Sequence, residues 1–114
     1  MTLKLNPPAA RALFDLFNEG VLIDHPRSLD ERLVMMHMVS IYKKLRSKLE
    51  GEGRKIYNLN ITMPEAIAYR IYWRDNDLSR FPYECNILTM HCMQIDRELL
   101  NTMRINHTNT NLLN

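Results

Sequence analysis

The longest unbroken helical pattern in the chain covers residues 28–49. Ser28 stands before Leu29 and Glu31 follows three positions later, so hydroxyl and carboxylate can each satisfy a backbone N–H left without a partner in the first turn. Gly51-Glu52-Gly53 makes continuation costly. At about 100° per residue this helix divides in two. In its second half Val34, Met38, Ile41, Tyr42, Leu45 and Leu49 share one arc, with Lys43, Lys44, Ser47, Lys48 and Glu50 mostly opposite. In its first half Leu29, Leu33 and Met36 lie opposite Val34, Met35 and Met38. A helix that is apolar all round is expected to be covered all round. Residues 29–39 should therefore run through the middle of the domain or through a subunit interface.

The other elements are read from the same kind of signal. Asn6 before Pro7 and Pro8 predicts a helix N-terminus, and Ala9, Leu13, Phe14, Leu16 and Phe17 supply its apolar face up to Gly20. Val21-Leu22-Ile23 reads as a buried extended segment, and residues 54–62 as one strand pairing with it or as an extended connector. Thr62 and Glu65 form a second capping box, with Pro64 in the first turn of a helix that reaches about Arg74 and is nearly all apolar or aromatic. Asp75-Asn76-Asp77 breaks it. The last helix opens at Ser79 or Pro82 and reaches about residue 101, with Ile87, Leu88, His91, Ile95 and Leu99 in one stripe and Cys92 on its edge. Met90 and Met93 fall away from that stripe. Neighbouring helices of the same chain are expected to cover them; the other reading is exposure for a partner.

These elements predict a mainly α fold: an irregular four-helix domain around a long central helix, with at most a minimal two-stranded β-ribbon. The helices are placed at 7–19, 29–50, 63–74 and 82–100. Residues 1–101 make one helical domain. Residues 102–114, rich in Asn and Thr, make a polar tail expected to be frayed or disordered. A chain of 114 residues is one domain's length and buries a core without needing a disulfide or metal. Cys85 and Cys92 are seven apart on one helix, about 10 Å by helical rise and beyond disulfide reach. Reduced thiols, the absence of a signal-peptide pattern and the lack of any long apolar run point to the cytoplasm and away from a membrane.

The formal net charge of +2 does not demand a polyanionic partner, but the charge is unevenly placed. Lys43, Lys44, Arg46, Lys48, Arg54 and Lys55 cluster around the end of the central helix, and Tyr69-Arg70-Ile71-Tyr72-Trp73-Arg74 interleaves aromatics with arginines. Such sets bind phosphates and stack bases. Lys43, Lys44, Lys48, Arg70 and Arg74 are therefore the candidate nucleic-acid contacts. The plainer reading is a solvated helix face and a tyrosine- and tryptophan-rich core helix. His37, His91 and Cys92 are a ligand set zinc accepts, provided the central and last helices bring them together, but no closely spaced Cys or His pair supports it.

Phosphate-loop, nucleotide-fold, serine-hydrolase and zinc-protease motifs are all missing, and no pair of carboxylates stands out for acid–base work. The sequence thus predicts no catalytic residue, no cofactor and no metal. Its leading reading is a small, non-enzymatic protein–protein interaction or assembly module, self-associating as a homodimer. Met35, Met36, Met90 and Met93 are the candidate interface. The alternative is a small nucleic-acid-binding accessory protein that uses the basic helix face.

Overall fold

The computed structural model describes the backbone of residues 1–51 and 53–113, and side chains in those ranges as far as Thr102. Four helices and one pair of strands make up the fold: β1 (Thr2–Leu5), α1 (Pro7–Glu19), a 3-10 turn (Val21–Ile23), α2 (Leu29–Glu50), β2 (Tyr57–Asn60), α3 (Met63–Arg74) and α4 (Pro82–Leu113). The mainly α architecture with a minimal ribbon is as the patterns predict.

Three helix starts follow from local chemistry. Asn6 accepts the Ala9 N–H with its side chain and Pro7 occupies the first helical position of α1. Ser28 accepts the Glu31 N–H at the head of α2, and Glu31 returns a carboxylate oxygen to the Arg27 N–H. Thr62 and Glu65 form a complete capping box on α3.

The ribbon is made differently from the sequence expectation. Val21–Ile23 is a 3-10 turn rather than a strand. The partner of β2 is β1, antiparallel, with Leu3 opposite Leu59 and Leu5 opposite Tyr57. Met1 continues the ladder by exchanging two hydrogen bonds with Ile61. The four-residue segment Thr2-Leu3-Lys4-Leu5 alternates as a half-buried strand should, placing Leu3 and Leu5 inward and Lys4 outward. Its pairing spans more than fifty residues of chain, a distance at which local pattern carries no information.

The core is also displaced from its expected position. It gathers Ala10, Leu13 and Phe17 of α1, Met38, Ile41 and Leu45 of α2, Leu3, Leu5 and Leu59 of the ribbon, Tyr69 and Trp73 of α3, and Leu88 and Ile95 of α4. Of α2, Met38, Ile41 and Leu45 are buried in it, with Val34 and Met35 packed at its edge. The other side of the first turns has no second layer to cover it among the described residues: Leu29 is 81%, Leu33 57% and Met36 69% exposed. The arcs separate these three from Val34 and Met35, which are half-buried, and Met38, which is fully buried. Of the two covers expected for residues 29–39, the middle of the domain is excluded.

The helix α4 is longer than the sequence pattern predicts. The expected fraying of 102–114 falls almost wholly on residues whose side chains lie outside the described ones.

Candidate functional site

Among the described residues, two polar side chains lie in the core. Glu65, 3% exposed, sits at the head of α3 where α2 crosses it. One carboxylate oxygen accepts Lys44 Nζ at 2.6 Å and the Thr62 N–H at 2.7 Å, and the other accepts Ser40 Oγ at 2.6 Å. Burial alone would raise its pKa, but these donors outweigh it and hold the carboxyl down at about 2. His91, 5% exposed, lies between Tyr69 and the ribbon. Tyr69 Oη is 2.9 Å from Nδ1, and Nε2 is 3.4 Å from the Lys4 carbonyl. A neutral imidazole fits this setting, with Nδ1 accepting from the tyrosine and Nε2–H turned toward the carbonyl. Burial lowers the His91 pKa, which favours that neutral form.

The proposed zinc set does not assemble. Among the described residues no group of three His, Cys, Asp or Glu side chains stands close enough to hold a metal ion. His91 is engaged by Tyr69 and the ribbon, while His37 stands half-buried in the first part of α2.

The five basic candidates divide into two places. Lys43, Lys44 and Lys48 border a shallow hollow of about 440 Å³ between α2 and β2, together with Ser40, Ser47, Leu59 and Asn60. Lys44 is already held by Glu65, so it balances a buried carboxylate before it can meet a phosphate. Arg70 and Arg74 border a different hollow, of about 380 Å³, between α3 and α4. Arg70 is paired with Asp96 at 3.0 Å and Arg74 with Asp75 at 3.2 Å. The two sets share no lining residue. The floor of the second hollow includes Trp73, whose buried Nε1 has no partner among the described residues. One buried donor above apolar side chains, flanked by arginines that are already neutralised, is less than a small-molecule site requires.

The four candidate interface methionines behave differently. Met36, Met90 and Met93 are exposed, at 69%, 71% and 59%, and Met35 is half-buried. The expectation that neighbouring helices cover Met90 and Met93 is corrected: α3 and α1 pack on the opposite side of α4, against Leu88, His91 and Ile95. Around Met35 and Met36 lies a wide hollow of about 680 Å³ that also takes in His25, Pro26, Arg32 and Val39.

Apolar exposure concentrates on two helix faces. One is the start of α2, with Leu29, Leu33 and Met36. The other runs along α4 through Tyr83, Met90, Met93 and Leu100. Leu29 and Leu33 are expected in the middle of the domain or in a subunit interface, and their exposure excludes the first. Tyr83 and Leu100 escape the sequence pattern because periodicity picks out the stripe of α4 that faces the core.

Comparison with known proteins returns no match to a family model, to a curated protein or to a solved structure. Among the described residues no helix is long and apolar enough to cross a membrane.

Proposed function

We propose that this chain is a non-enzymatic assembly module of the cytoplasm that associates with copies of itself. The observation that carries the reading is the pair of exposed apolar helix faces, on α2 and on α4. Monomeric proteins scatter exposed hydrophobic side chains singly, whereas contiguous stripes mark interaction surfaces. Methionine at such surfaces adapts its shape to the partner at little cost. Cys85 and Cys92 are both unbridged, in keeping with a reducing compartment. The test is the molar mass in solution as concentration rises. A mass that climbs to twice 13.5 kDa supports the reading, and a constant 13.5 kDa overturns it.

A second reading, nucleic-acid binding by the basic face of α2, draws on Lys43 and Lys48 beside the hollow at β2. It predicts that log affinity for mixed-sequence DNA or RNA falls linearly with log salt. It also predicts that Lys43→Glu with Lys48→Glu weakens binding to all sequences alike. Affinity indifferent to that double change excludes this face. The charge balance favours the first reading, because Lys44, Arg70 and Arg74 are each paired with a carboxylate of the same chain.

A further inference from the structure

The exposed face of α4 has a spacing that the core-facing stripe conceals. Tyr83, Asn86, Met90, Met93, Arg97 and Leu100 are separated by 3, 4, 3, 4 and 3 residues, and all six are exposed. That is the 3.5-residue repeat by which one helix packs along another, over about 26 Å of helix. The opposite side of α4 is already taken by Leu88, His91 and Ile95 in the core. The chain therefore presents a complete helix-packing seam with nothing of its own described against it.

The order of residues along that seam selects the occupant. Read from either end toward the middle, the seam matches its own reverse: Tyr83 with Leu100, Asn86 with Arg97, Met90 with Met93. Each apolar position meets an apolar one and each polar position meets a polar one. We propose that α4 pairs antiparallel with α4 of a second copy, about a two-fold axis passing between Met90 and Met93. This deepens the self-association reading above and rests on it. The methionines close the centre, and Tyr83 packs on Leu100 at both ends. The Asn86 amide oxygen accepts from the Arg97 guanidinium, so neither polar group is left unsatisfied at the seam. Such an interface is isologous and closes at two copies.

A parallel pairing of the same seam is disfavoured, because it sets Arg97 against Arg97. The α2 face lacks this symmetry. Its stripe of Leu29, Leu33 and Met36 ends at Ser40, which is held by Glu65, so an antiparallel copy centred between Leu33 and Met36 sets Leu29 against a polar Ser40.

The test is a charge swap read by sedimentation or light scattering on the full chain, with circular dichroism to confirm unchanged helicity. Asn86→Lys sets a second positive charge against Arg97, and the dimer should weaken by ~10-fold or more. Adding Arg97→Glu in the same chain restores opposite charges across the antiparallel seam and should return dimer stability to at least its original level. In a parallel pair the double variant faces like charges twice and stays dissociated, which would overturn the proposed pairing. Met90→Glu with Met93→Glu should give a folded monomer. If that variant remains a dimer, α4 is not the interface, although the self-association reading survives. If the unaltered chain is a monomer, both fail.

Discussion

Among the described residues Glu65 and His91 are the polar side chains buried in the core, and acid reaches them in separate windows. His91 has its pKa lowered by burial, so the unfolded chain takes up a proton as pH falls through about 6.5 while the folded chain does not. Stability should therefore begin to decline below about pH 6.5. Glu65 is held at about 2 against 4.5 when unfolded, so its contribution is complete above about 4.5 and is lost as pH falls toward 2. The difference corresponds to about 3 kcal/mol, an order-of-magnitude figure. Denaturant midpoints measured from pH 7.5 to pH 2.5 should show both declines. Glu65→Gln should cost about 1–3 kcal/mol at neutral pH, because Lys44 loses its carboxylate, and should abolish the lower decline. Tyr69→Phe removes the donor to His91 Nδ1 and should cost a similar 1–3 kcal/mol. Neither site was fully legible in the sequence. The capping role of Glu65 is a spacing and can be read. Its meeting with Ser40 and Lys44 depends on how α2 crosses α3, and the meeting of Tyr69 with His91 depends on how α3 meets α4.

At the scale of elements, α2 shows how far pattern carries. Its start is fixed by Ser28 and Glu31, a matter of adjacent hydrogen bonds, and Ser28→Ala should cost about 1 kcal/mol. The arcs along it are correct residue by residue. Periodicity shows which side chains are apolar, but the covering layer is set by the remaining elements, and among the described residues these leave Leu29, Leu33 and Met36 exposed. Ile41→Ala should therefore cost about 2–5 kcal/mol by opening a cavity, while Leu33→Ala should stay within about 0.5 kcal/mol. Chemical denaturation of the two variants compares them directly, and equal costs would mean that Leu33 is buried. The ribbon shows the reverse limitation. Its strands are too short for periodicity to distinguish, and Leu3 meets Leu59 only because α1 and α2 fold the chain back between them.

At the scale of the whole molecule, the fold is a core closed on one side of α2 and α4, with apolar faces left on both. The core is built by α1, the ribbon, α3, the inner side of α2 and the inner face of α4, and these outer faces lie outside it. A solvent-exposed stripe of four large apolar side chains along one helix is explained most simply by a second helix against it. The basic residues do not unify the molecule in the same way, since the lysines of α2 and the arginines of α3 border separate hollows and three of the five are held by carboxylates. Association through apolar contact should persist at high salt, whereas assembly through those charges would dissolve. The most direct measurement is the molar mass of the full chain by light scattering across a dilution series at low and at high salt. The expected result is a dimer of twice 13.5 kDa that dissociates on dilution and not on adding salt. A 13.5 kDa monomer at every concentration would contradict it.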